Sequence, residues 1–220
     1  MSNRGLERPV QAGIDEAGKG PALGPLVVAG VAVRDPAFLA EMGCRDSKRL
    51  SPTKREAIDR MLRSHPDVRI EVRAIVPEVL DAERQARKLN DIEVDRFRDI
   101  ALALHPHVLY VDAADGDAAQ FGRAVAEGLP RDIEVVSEHK ADDTYPVVAA
   151  ASIVAKVARD AAYAELARRL EPRLQMQLGS SYGDPRTDLF LRAWLAKFGD
   201  LPEGTRRSWA SARDLLSLDT

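Results

Sequence analysis

A chain of 220 residues that is 45% hydrophobic and 30% charged, with a net charge of -3, has the make-up of a globular protein and not of a disordered or fibrous one. It is long enough to bury one full core with room for a small appendage. Its single cysteine, Cys44, excludes an internal disulfide and a site built from several thiolates, which points to a reducing, cytoplasmic setting, and its apolar runs at 26–33 and 147–155 are too short to span a membrane, so no membrane partner is expected.

In chain order, residues 9–16 and 24–34 read as two strands joined by a turn rich in Gly and Pro, a hairpin by its breakers and β-branched content. Ser51 and Pro52 open a helix through about Arg63, and residues 68–76 alternate as a third strand. A helix from Pro77 to about Lys88 follows. Asn90 then caps another helix that ends near His105, with Glu93 completing an Asn/Glu capping box. Residues 107–112 form a short strand ending in an acid, 117–128 a helix and 132–137 a further strand. Pro146 suits the first turn of a long helix to about Leu170, whose alanine-rich face packs closely on a sheet. Shorter helices near 187–197 and 208–217 complete an α/β chain, beyond a Gly/Ser/Pro cluster at 179–186. The expected division is a body at 1–178 and a helical C-terminal appendage at 179–220.

Three features bear on chemistry. Asp15 and Glu16 close the first strand, and Asp112 closes the 107–112 strand; carboxylates brought from separate elements are the oxygen donors that hard divalent cations such as Mg²⁺ require. Side chains alternate along a strand, so both acids of the pair reach one place only if the strand ends or bends there, which Gly18 and Gly20 make easy. An acid pair taken alone is more often a solvated turn or a helix cap. The Gly18-Lys19-Gly20 turn suits close approach of backbone N–H groups to an oxyanion, but it lacks the spacing of a P-loop. Between Arg45 and Arg63 stand seven basic residues against three acidic ones, equally compatible with a solvated helix face and with a phosphate-binding one. The four histidines lack zinc-ligand spacing, and no nucleophile-elbow motif is present.

Taken together and in order, GIDEAGKGPALGPLVVAG, DSKRLSP, YVDAAD, EHKADDTYPVVAAASIVAK and DPRT resemble the motif set of the ribonuclease HII family (type 2 ribonuclease H), nearest its archaeal and eukaryotic forms. The resemblance covers most of residues 11–190. It implies a ribonuclease H-like mixed sheet of five strands flanked by helices, with a helical C-terminal region. It maps four catalytic, metal-holding acids onto Asp15, Glu16, Asp112 and Asp142, the last preferred over Asp143 because the family acid follows EHKA directly. It further implies two Mg²⁺ or Mn²⁺ ions, hydrolysis of the RNA strand of RNA-DNA hybrids, and cutting 5′ of a ribonucleotide embedded in duplex DNA to leave 5′-phosphate and 3′-hydroxyl ends.

By the same resemblance, Gly18, Lys19 and Gly20 read the 2′-hydroxyl and backbone at the junction, Ser47 and Lys48 meet phosphates, and Tyr182 packs on a sugar, with Lys140 adding positive charge as a further substrate-binding residue. Lys156 adds positive charge near the site motifs or is a surface helix lysine. Two departures stand out. Lys19 occupies a position where the family often has Arg, so a bidentate phosphate contact is lost, and the stretch around Tyr182 is one residue shorter than the usual pattern. The expected protein is a monomer, with a sliding clamp as a candidate partner. The rival readings are a resolvase-like DNA nuclease, a non-catalytic hybrid-binding protein and a nucleotide-binding kinase-like protein.

Overall fold

The structure, a computed structural model, describes residues 8–44, 49–179 and 184–217. In chain order the elements are β1 (Gln11–Ala17), β2 (Leu26–Val33), α1 (Ala37–Glu41), α2 (Pro52–Ser64), β3 (Arg69–Ile75), α3 (Pro77–Arg84), α4 (Leu89–Leu104), β4 (Val108–Asp112), α5 (Ala118–Glu127), β5 (Glu134–Glu138), α6 (Ala141–Thr144), α7 (Pro146–Leu174), α8 (Pro185–Phe198) and α9 (Ala210–Ser217). The strands form one mixed sheet in the order β3-β2-β1-β4-β5, the ribonuclease H-like arrangement that the motifs implied. β1, β4 and β5 run parallel, so their carboxyl ends lie at one edge.

Local chemistry accounts for most boundaries. Every residue of β2 is buried, as expected of an apolar run that alternates with nothing polar. Ser51 Oγ accepts from Lys54 N–H ahead of Pro52, and Asp117 caps α5 by accepting from Gln120 N–H. Asp184 caps α8, which ends on Gly199 in the left-handed region at φ 73°.

Three expectations need correction. Asn90 is not a cap: α4 already begins at Leu89, and the Asn90 amide donates to Asp115 at 2.7 Å, while Glu93, the expected box partner, is fully buried. The one-turn helices α1 and α6 were not anticipated, because so few residues carry no periodic signal. Helix α7 runs on to Leu174 and includes Pro172.

The chain divides into two compact units. The first comprises Met1–Ala17, Val28–Arg73 and Leu89–Val157, and the second Gly18–Val27, Ala74–Lys88 and Ala158–Thr220. The first has a core in which Ile14, Phe97, Ile100, Leu109 and Val111 are fully buried, with Phe97 and Phe121 edge-to-face at 5.2 Å. In this unit Gly13 lets α7 lie directly on the sheet. A Cβ there would sit 2.3 Å from both the Val147 carbonyl carbon and the Val148 nitrogen, so no larger residue fits without displacing backbone. The second unit has its own core around Leu166, Leu170, Phe190, Trp194 and Leu215. Among the described residues no helix is long and apolar enough to cross a membrane.

Candidate active site

The parallel register of β1 and β4 pairs Gly13 with Tyr110 and Ile14 with Val111, so the next pair along the two strands is Asp15 beside Asp112. Asp142 reaches the same place by a different route. After β5 ends at Glu138, Lys140 turns the chain through the left-handed region at φ 58°, and the single turn of α6 brings Asp142 back toward the sheet edge. Asp112 Oδ1 accepts from Ala141 N–H at 3.2 Å, which ties the start of α6 to the end of β4. Tyr145, closing α6, stacks on Tyr110 at 4.2 Å and donates to Glu138 at 2.9 Å. The result is a group of three carboxylates, Asp15, Asp112 and Asp142, each offering one oxygen within 4.8 Å of those offered by the other two.

Asp15 and Asp142 are nearly inaccessible, at 5% and 2% exposure. Burial pushes the Asp15 carboxyl up to about 6, Asp112 adds to the rise, and Lys156 with Ser152 pull against it. Ser152 and Lys156 lie four residues apart on α7, and Lys156 Nζ donates to Ser152 Oγ. Lys156 thus sets a positive charge against Asp15 of the three-acid group. Such clustered oxygen donors fit a hard divalent cation such as Mg²⁺ or Mn²⁺, which would offset the repulsion among the three acids.

Glu16 is placed differently. β1 continues to Ala17, so the bend expected at the acid pair comes later, at Gly18 with φ 91°. Glu16 N–H donates to Asp15 Oδ1 at 2.7 Å, and its half-buried side chain is outside the three-acid group. Lys140 is exposed, two residues ahead of Asp142.

Gly18, Lys19 and Gly20 belong to the second unit. A Cβ on Gly18 would sit 2.7 Å from the Pro25 carbonyl oxygen, so this position accepts only glycine on two counts, contact and φ. The Lys19 carbonyl accepts from Arg206 Nη1 at 3.3 Å and from Trp209 Nε1 at 3.2 Å. In the same unit a cavity of about 250 Å³ is lined by Gly20, Leu23, Arg159, Tyr163, Thr187 and Leu191, among others.

Ser47, Lys48 and Tyr182 lie outside the described residues. Within the basic stretch Lys54 and Arg60 are exposed, whereas Arg63 pairs with Asp59 at 2.8 Å. Two of the four histidines have structural contacts: His107 Nδ1 accepts from Val10 N–H, and His65 stacks on Phe38. Ser152 and Arg206 were not singled out from the sequence. Ser152 had one usable signal, its four-residue spacing from Lys156 on a helix, whereas nothing local marks Arg206.

The ribonuclease HII family model matches residues 12–212. The ribonuclease HII of Archaeoglobus fulgidus is 40% identical over 213 residues, covering 94% of this chain and 96% of that protein. The crystal structure of ribonuclease H2 from Pyrococcus horikoshii superposes with a TM-score of 0.85 at 33% identity, over 95% of this chain and 98% of the other. A structure of the PCNA:RNase HII complex from Archaeoglobus fulgidus gives 0.81 at 40% identity, over 93% and 96% of the two chains.

Proposed function

The chain belongs to the ribonuclease HII family and is a metal-dependent endoribonuclease of type 2; from that premise we propose that it cuts 5′ of ribonucleotides embedded in duplex DNA as well as the RNA strand of RNA-DNA hybrids. The observation that carries the reading is the convergence of Asp15, Asp112 and Asp142 within 4.8 Å. A non-catalytic hybrid-binding protein has no use for buried acids that repel phosphates.

In the proposed reaction a water oxygen bonds to the phosphorus as the bond from phosphorus to the 3′ oxygen breaks, leaving 5′-phosphate and 3′-hydroxyl ends. Two divalent cations, Mg²⁺ or Mn²⁺, supply activation of the water and stabilisation of the leaving oxygen when bound. Asp15, Asp112 and Asp142 would hold them, with Glu16 as the fourth acid. Lys156, held against Ser152, limits the repulsion among the acids and orients Asp15. Gly18, Lys19 and Gly20 contact the 2′-hydroxyl and the backbone at the junction, since the 2′-hydroxyl is what separates RNA from DNA. Ser47, Lys48 and Lys140 meet phosphates and Tyr182 the neighbouring sugar. Because Lys19 has no planar fork, affinity for the strand falls more than selectivity for RNA.

Residues 1–178 act as the catalytic body and 179–220 as the helical appendage. The protein works as a monomer in the cytoplasm, in replication and repair, and a sliding clamp is its partner; the PCNA complex of the Archaeoglobus fulgidus relative supports that association. The test is cleavage of a labelled DNA duplex with one ribonucleotide, beside an all-DNA duplex, in Mg²⁺, Mn²⁺ or EDTA. Metal-dependent cutting confined to the 5′ side of the ribonucleotide is expected, and cutting of all-DNA duplex would overturn the reading in favour of a DNA nuclease.

A further inference from the structure

Arg206 is 0% exposed, in a segment whose neighbouring residues run along the glycine loop. Its Nε donates to the Gly24 carbonyl at 2.8 Å, its Nη1 to the Lys19 carbonyl at 3.3 Å, and its backbone N–H to Ala22 O at 2.7 Å. Leu23 and Thr205 form an antiparallel bridge, and Gly24 N–H donates to Gly204 O at 2.9 Å. The guanidinium lies over the Trp209 ring at 4.8 Å, and the same indole donates its Nε1–H to the Lys19 carbonyl. Asp81 of α3 anchors this segment, accepting from Arg207 N–H at 2.6 Å and from Ser208 N–H at 3.1 Å.

A buried guanidinium is costly unless paired, and among the described residues Arg206 forms no salt bridge; its side-chain hydrogen bonds go to backbone carbonyls. Burial lowers its pKa to about 10, with Asp81 opposing the fall, so the group stays charged at neutral pH. Its Nη2 is buried without a partner and lies 3.6 Å from where a Cβ on Gly18 would sit. Arg159 Nε is likewise buried without a partner, and its Cγ is 3.2 Å from that point. Two cations therefore back the loop.

The direction of these bonds has a consequence for the loop's outer face. The Lys19-Gly20 peptide is planar and trans, so its C=O and N–H point to opposite sides. With that carbonyl turned inward onto Arg206 and Trp209, the N–H of exposed Gly20 is turned outward. We infer that Arg206 and Trp209 are positioning residues that preset the Gly20 N–H as a donor to an oxygen of the bound strand's sugar-phosphate backbone. The inference rests on the loop being a substrate contact, as proposed above.

The test compares Trp209→Phe, Arg206→Lys and Arg206→Met with the parent enzyme, on a duplex carrying one ribonucleotide. Trp209→Phe keeps an aromatic ring under the Arg206 guanidinium but removes the Nε1–H that donates to Lys19 O, together with part of the indole. It is expected to raise KM about fivefold, near the worth of one hydrogen bond. Arg206→Lys should rank next and Arg206→Met highest. In all three, kcat should stay within about twofold and the Mn²⁺ affinity of the three-acid site should be unchanged, because binding energy and not the reacting centre is altered. The Gly20 amide resonance should shift in the free protein. KM unchanged in Trp209→Phe and Arg206→Lys, or kcat falling at constant KM, would overturn the inference; those two variants carry the test if Arg206→Met does not fold. A parent enzyme that cuts no hybrid would instead sink the proposed function, while the Gly20 resonance would still report whether Arg206 and Trp209 set the loop.

Discussion

Asp15→Asn should stabilise the metal-free protein at neutral pH while destroying the metal site. The Asp15 carboxyl is raised from 3.8 to about 6, chiefly by burial, so between those values the folded state holds a proton that the unfolded chain has released. Stability therefore falls as pH rises through that window and levels off above it, by about 3 kcal/mol in total. Asparagine approximates the neutral carboxyl and carries no such penalty. In EDTA, urea unfolding of parent and variant should give a stability difference that moves in the variant's favour by about 3 kcal/mol from about pH 4 to about pH 8, whatever its constant offset. Adding Mn²⁺ should reverse the order near neutrality, because the cation stabilises only a folded state that can bind it. A difference that stays flat over this range, or slopes the other way, would refute the claim that buried charge at Asp15 is held at the expense of stability.

Asp112→Asn retains an Oδ1 to accept from Ala141 N–H, so the variant should fold and still bind hybrid within a few-fold, yet lose cleavage by at least about a thousandfold in a labelled-duplex assay. Gly13→Ala drives a methyl into the backbone of Val147 and Val148, and should cost about 3 kcal/mol or more by urea midpoint, with Asp15 displaced from Asp112 as α7 moves. Metal affinity measured by titration should decline as pH drops through about 6, since Asp15 must lose its proton to become a ligand. Cys44 is buried with its thiol pushed up to about 12, so it should resist a thiol reagent at neutral pH in the folded protein and react at once in denaturant.

The sequence alone determined the order and type of nearly all the elements and pointed to Asp15 and Asp112 as candidate ligands, for local reasons. The run Leu26–Val33 has no polar residue to place outside, Ser51-Pro52 and Asp184-Pro185 start helices through their own side chains, and Asp112 closes its strand while Asp15 lies two residues before the end of its own. Family motifs added Asp142, which no periodicity singles out. The tertiary structure decided what depends on partners distant in the chain. It took Asn90 away from its expected cap to meet Asp115, folded α6 back over β4 so that a left-handed Lys140 could deliver Asp142, and set Ser152 and Lys156 against Asp15. Arg206 is the clearest case. An arginine in a polar stretch near the C-terminus reads as solvated, and only the contact with carbonyls some 180 residues earlier makes it the most deeply buried cation of its unit. Pattern and capping act over a few residues and survive in the sequence, whereas burial of charge is set by which segments meet, which the sequence by itself does not display.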